Sequence, residues 1–256
     1  MHFSHAKMIF FLYFGAFGVI IPFSGLYFDI KGFSSEWIGI ALGSSIVARM
    51  IGPVLFYYMR SLLSLKSIAQ ITALGAAISS SLLYFSENIY HMIFVLFFIN
   101  LWWMALLPNI EVVTLGSFKD DMSSYGLIRM FGSIGLIFLS LLAGWLMIEW
   151  SEHMFSLLLS LCFLGILILV SCCRFGLTSE VKAIPGKSPT ADQQGGYYFV
   201  YAVFFLIEMS HGPYYGFFSV YLHVSGYSAV QISSLVIFAV LVEVFAFNML
   251  SCVLQN

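Results

Sequence analysis

Six ionisable side chains stand inside long apolar stretches of this chain: Arg49, Glu111, Arg129, Glu208, His211 and Glu243. Placing such a group at the depth of a hydrocarbon core is costly, so each needs a partner, a wet cavity or a task. Their types suit reversible binding and proton movement. Carboxylates and a histidine can take up and release protons. The planar fork of an arginine can hold a carboxylate, or a pair of hydroxyls, in two directions at once. Covalent catalysis and metal chemistry have no comparable footing. The sequence has no HExxH, no GxSxG, no phosphate-binding loop and no Asp/His cluster at metal spacing, so no enzyme activity, cofactor or metal is expected.

Spacing adds to this. Arg49 and Glu243 are 194 residues apart, and the same offset relates Gly18, Phe23, Tyr27, Gly32, Ser34 and Ile38 to Gly212, Phe217, Tyr221, Gly226, Ser228 and Ile232. The two charges therefore occupy equivalent depths in two copies of one repeat. They could meet in one state and part in another, as a gate that responds to protons or substrate. The other reading is a static buried pair that fixes packing. Glu111 closes the stretch Pro108-Asn109-Ile110-Glu111, and 18 residues later comes Arg129-Met130-Phe131-Gly132. Arg129 either serves a binding site or snorkels to lipid headgroups. Glu208 and His211 lie about one turn apart and share a helix face, as a proton-coupling pair or as a satisfied intrahelical contact.

The elements that must position these groups follow from composition. The chain has 256 residues, 61% hydrophobic and 9% charged, with a mean hydropathy of +0.99, whereas a soluble domain carries about 25% charged residues. The lipid bilayer must be its solvent. The net charge of −2 offers nothing to nucleic acid. Cys162, Cys172, Cys173 and Cys252 lie in or beside apolar runs and read as small core residues. Apolar runs of about twenty residues suit a hydrocarbon core about 30 Å thick. They predict eight transmembrane helices near 8–28, 36–59, 67–85, 90–114, 126–147, 154–173, 197–222 and 228–252. Ser34 or Ser35 with Glu36 is expected to cap the second helix, and Ser228 the eighth. The small-residue runs Gly39–Gly43 and Gly132–Gly135 are expected to be seams of close helix contact. His91 and His153 are expected at helix ends.

Lys7, Arg60, Lys66, Lys119, Arg174, Lys182 and Lys187 fall on one side of this arrangement and Lys31 alone on the other. That asymmetry predicts cytoplasmic N- and C-termini in a bacterial-type inner membrane. The first apolar run is too long for a removable signal peptide and is expected to stay as a span. Residues 174–196, rich in Ser, Thr, Pro, Gly and Gln, read as a cytoplasmic linker. The expected organisation is a six-helix bundle over 1–173, the linker 174–196, and an incomplete two-helix bundle over 197–256.

Six helices, a central cytoplasmic loop and the start of a second bundle resemble the first two thirds of a major facilitator, an all-α membrane fold. The P-x-x-E and R-M-F-G stretches resemble lactose permease and its relatives, in which the corresponding acid and arginine belong to the sugar site; Glu243 falls where that family has a functional acid. This chain departs from that pattern. Leu136 stands where the sugar-stacking Trp would be, Gly212-Pro213-Tyr214-Tyr215-Gly216 replaces acidic residues, and Gly52 through Arg60 lacks the acid of the usual cytoplasmic-loop signature. The phenylpropionate permease branch is a closer likeness. It is carried by Gly32-Phe33-Ser34 with Ile46 through Arg49, by Tyr125-Gly126 with Arg129, Gly132 and Ser133, and by His211 through Phe217 with Gly226-Tyr227-Ser228 and Val242-Glu243-Val244.

The resemblance implies a proton-coupled symporter for a small organic solute, such as an aromatic carboxylic acid, working by alternating access. Arginines would meet the carboxylate, aromatic rings the substrate ring, and one buried acid the proton. The expected partners are the substrate, protons and lipid. Since the second copy of the repeat stops after two helices, another chain completing the C-terminal bundle is also expected. The alternative is a truncated, non-transporting membrane protein that only associates with partners.

Overall fold

The computed structural model describes residues 2–118 and 122–173 and, beyond them, 203, 205–206, 210, 214, 217–228, 230–239 and 242. Among these residues every regular element is a helix. The first six are α1 (Phe3–Ile30), α2 (Ser35–Leu62), α3 (Leu65–Tyr84), α4 (Ile89–Ser117), α5 (Met122–Glu149) and α6 (Met154–Cys172). All six contain a stretch long and apolar enough to cross a membrane. They overlap the six spans expected from hydropathy. α1, α2, α4 and α5 reach a few residues further at both ends, because helical hydrogen bonding continues into the interface where apolar runs have already ended. Two more helical segments follow, α7 (217–224) and α8 (Val230–Ala239). The linker 174–196 lies outside the described residues.

α1 is the central element. It packs along α5 and α6, α2 packs along α4, and α3 packs on α4 and α6. Exchanging α1–α3 for α4–α6 maps these main pairings onto themselves, so the bundle is built from two three-helix units. The core runs along α1 through Tyr13, Phe23, Leu26 and Tyr27 and is filled from α4 and α6 by Trp103, Phe155 and Phe163. Tyr27 stacks on Phe155 at 4.9 Å between ring centres and donates to the Leu83 carbonyl at 3.5 Å.

Lipid tails are as apolar as the side chains, so close backbone approach is what holds such helices together. The α1–α5 seam depends on it. A Cβ on Gly135 would stand 2.1 Å from the Phe11 carbonyl oxygen, and one on Gly18 would stand 2.4 Å from that of Leu136. The Gly132–Gly135 run is therefore a seam, as expected. The Gly39–Gly43 run is not one throughout: Gly39 faces Phe217 of α7, but Gly43 has open space where its Cβ would be. Cys162 and Cys173 are buried, as small core residues should be, whereas Cys172 is exposed. It follows Ser171 at the end of α6, where Lys66 of α3 donates to the carbonyls of Ser171 and Cys173.

The repeat legible in the sequence is also a repeat of backbone geometry. α1 and α7 both end on a glycine in the left-handed region, Gly32 at φ 79° and Gly226 at φ 86°. Gly32 donates to the Asp29 carbonyl and Phe33 to that of Phe28; Gly226 donates to His223 and Tyr227 to Leu222. Both are the same cap, which closes a helix by turning its last carbonyls inward. The helix starts that follow differ. Ser34 occupies the N-cap of α2 without a side-chain bond. Ser228 forms a reciprocal box with Gln231, whose side chain accepts from the Ser228 amide at 2.8 Å.

Candidate functional site

Two of the six intramembrane charges meet. Arg129 on α5 donates to Glu111 on α4 at 2.5 Å. α4 runs toward the face of the bundle that carries the N-terminus, and α5 starts back from it. Glu111 lies six residues before the end of α4 and Arg129 seven after the start of α5, so both stand about 10 Å in from that face. The antiparallel turn between the two helices thus brings an 18-residue separation to direct contact. Arg129 also lies over the Phe14 ring of α1 at 5.1 Å, and Tyr125 stands one turn back along α5. The guanidinium is engaged by an acid and a ring.

Behind Phe14, Tyr13 packs edge-on to it at 5.3 Å and beside Trp103 at 5.7 Å, while Phe17 meets Trp103 at 5.5 Å. The charged pair is backed by an aromatic wall from α1 and α4. The buried Trp103 Nε1 is without a hydrogen-bond partner among the described residues. Side chains of the pair are 45% and 30% exposed.

The direction of exposure follows from α5. Arg129 and Ser140 are eleven residues apart, which is about three turns, so they share one face of α5. That face meets α8, since Ser233 donates to the Ser140 carbonyl at 3.3 Å. α7 meets the first bundle nearby, with Phe217 3.9 Å from the Cβ position of Gly39 and His223 3.2 Å from Asp29. All these contacts lie toward the face that carries the α1–α2 turn. The Glu111–Arg129 pair lies about 16 Å deeper on the same side of the bundle.

Arg49, on α2, reaches the Ser45 carbonyl of its own helix. Glu208, His211 and Glu243 lie outside the described residues, so neither the Arg49–Glu243 pairing nor the Glu208–His211 pairing is described. His91 holds Ser86 at 2.9 Å at the start of α4. His153 stacks on Tyr84 at 4.8 Å beside a Lys31–Glu152 ion pair of 3.6 Å. Both are helix-end residues, as expected.

Sequence reasoning missed four participants. Phe14 and Tyr125 are indistinguishable by type from the many other rings of the chain. Asp29 and His223 carried a signal that was available: their separation of 194 is the offset of the repeat.

Comparison with known proteins agrees with the all-α fold. The profile described as the MFS_1 like family matches residues 3–256. This chain belongs to that major facilitator family. A member of known description, the probable 3-phenylpropionic acid transporter of Escherichia coli (strain K12), is 27% identical to it over 243 residues. That alignment covers 93% of this chain and 64% of the relative, so the chain spans under two thirds of the relative's length. Among solved structures, the nucleoside transporter NupG superposes with a TM-score of 0.77 at 18% identity, over 98% of this chain and 68% of NupG. A single-substitution variant of NupG superposes at 0.67 over 81% of this chain and 54% of its own length, at 20% identity. At such identities the likeness is one of fold. The all-α facilitator architecture expected from the sequence is the one observed.

Proposed function

We propose that this chain belongs to a proton-coupled secondary transporter that moves a small organic solute across a bacterial-type inner membrane by alternating access. An aromatic carboxylic acid is the favoured substrate class. The observation that carries the reading is the Glu111–Arg129 pair, set against Phe14 and Tyr125 on the side of the bundle that meets α7 and α8.

Arg129 supplies the two-pronged donor that a carboxylate needs. The substrate competes with Glu111 for it, and the displaced Glu111 takes a proton more readily once its cation is shared. Binding and protonation are thereby linked at one site. Phe14 and the wall of Tyr13, Phe17 and Trp103 offer ring faces and edges to an aromatic solute. Arg49, Glu208, His211 and Glu243 are proposed to complete the cavity from α2 and from the second bundle. The Lys and Arg asymmetry supports a cytoplasmic N-terminal face, which makes the face where α7 and α8 meet the first six helices the external one. The relative from Escherichia coli supports the substrate class by its description. A further chain supplying the rest of the second bundle is the proposed partner.

The test is accumulation of labelled 3-phenylpropionate by cells that express this chain, at external pH 6 and pH 8, with membrane insertion checked separately. Uptake that rises in acid and is lost on dissipating the proton gradient supports the proposal. Normal insertion without accumulation of this or related acids points to the alternative, a non-transporting membrane protein.

A further inference from the structure

Asp29 and His223 are equivalent positions of the internal repeat, 194 residues apart in sequence, and they touch: His223 Nδ1 donates to Asp29 Oδ2 at 3.2 Å. Two residues related by a repeat can touch each other only where they straddle the axis that relates the two copies. Each is three residues before its left-handed glycine, Gly32 or Gly226, so both helix ends present the same carbon to that axis. The pair therefore stands at the centre of the seam between the two bundles, at the end where Phe217 meets Gly39 and Ser233 meets Ser140.

We propose that Asp29 and His223 form a latch across the external mouth of the pathway, closed in this structure and tightened when His223 carries a proton. This rests on the alternating-access reading above and adds to it a residue pair that biases which side is open. Histidine is the side chain whose charge changes between pH 5 and 8. A neutral His223 can still donate its Nδ1–H to Asp29; a charged one adds an ion pair. The latch strengthens as pH falls through the histidine range and weakens as it rises. Its side chains are 38% and 25% exposed, so protons reach it from the external water.

The neighbouring charges have engagements of their own. Lys31, at the end of α1, pairs with Glu152 of the α5–α6 turn, and Glu152 also meets His153 at 3.6 Å. Glu36 stands in the first turn of α2, Glu87 in the α3–α4 turn and Glu149 at the end of α5. On the α7 side the titratable neighbours are Tyr221 and Tyr227. His91 and His153 are the other described histidines of this face, and His153, beside Glu152, serves as the control.

Gly43 provides the probe. It lies one turn inward from Gly39 on the same face of α2, and its Cβ position is open. In a background whose native cysteines are replaced, Gly43→Cys is labelled with a membrane-impermeant thiol reagent from outside, at pH 5.5 and pH 8. Rates at each pH are divided by those of Asp29→Asn in the same background, which removes the thiol's own titration. A partly exposed ion pair shifts an equilibrium by about two- to fivefold. We expect normalised labelling to be slower at pH 5.5 by that factor. The difference should vanish in His223→Gln and persist in His153→Gln. It should return in the exchange Asp29→His with His223→Asp, since the two positions are equivalent. Normalised labelling that ignores pH, or that keeps its pH dependence in His223→Gln, overturns the latch. If uptake nonetheless persists, the transport reading stands without it. If uptake is absent too, both fall.

Discussion

Arg129 and Glu111 close an ion pair between two antiparallel helices, at equal depth and on the side of the bundle that meets the second repeat. A hydrogen bond to a charged group contributes about 1.5–3 kcal/mol, so Arg129→Ala should lower uptake by roughly 10- to 100-fold. Arg129→Lys keeps the charge and loses the fork, and should fall between. The exchange Glu111→Arg with Arg129→Glu restores the pairing but reverses its geometry toward the substrate. Thermal unfolding of the detergent-solubilised exchange variant should match the parent while its uptake stays low. Recovery of uptake there would assign the pair to packing alone.

Two glycines, Gly135 of α5 and Gly43 of α2, should respond in opposite directions to the same change. Gly135→Ala drives a methyl into the Phe11 carbonyl, which belongs to backbone and cannot rotate away. Overpacking of this kind costs about 1–3 kcal/mol. Gly43→Ala meets nothing within 4 Å and gains helix propensity worth up to about 1 kcal/mol. Melting temperatures in detergent should fall for the first and hold or rise for the second.

The matched caps allow a test of the structural repeat. Gly32 and Gly226 have positive φ and open space around the Cβ position. Gly32→Ala and Gly226→Ala should each cost about 1–2 kcal/mol through backbone strain alone, and asparagine at either position should cost less. Unequal losses in thermal unfolding would mean that the two helix ends are not equivalent.

In the α5–α6 turn Glu152 is held below the usual carboxylate range, first by a hydrogen bond from its own backbone and then by His153, Lys31 and Ser151. A depressed acid contributes stability above its unfolded pKa and loses it as pH falls through its folded one. Glu152's own contribution to the α5–α6 turn should therefore be complete between pH 6 and 8 and be lost only in strong acid. Glu152→Gln should remove that acid-dependent part, which for a partly exposed pair is under about 1 kcal/mol. Hydrogen exchange of residues 149–155 against pH reads it directly.

The six described spans and the all-α facilitator class were legible before any coordinates. In lipid every backbone group must be satisfied within its own helix, so apolar length alone dictates where helices run. The repeat was legible because like segments of one chain fold to like caps, and Gly32 and Gly226 kept their identity for that reason. The spacing of Glu111 and Arg129 marked both as worth attention. That they touch depends on the α4–α5 turn returning one helix to the depth of the other, which hydropathy does not encode. Phe14 joins them only because Gly132 lets α1 approach α5 closely. The Asp29–His223 contact required both repeats to be folded and docked. A charge on one helix end has no partner until packing of the two bundles decides which ends meet at the axis.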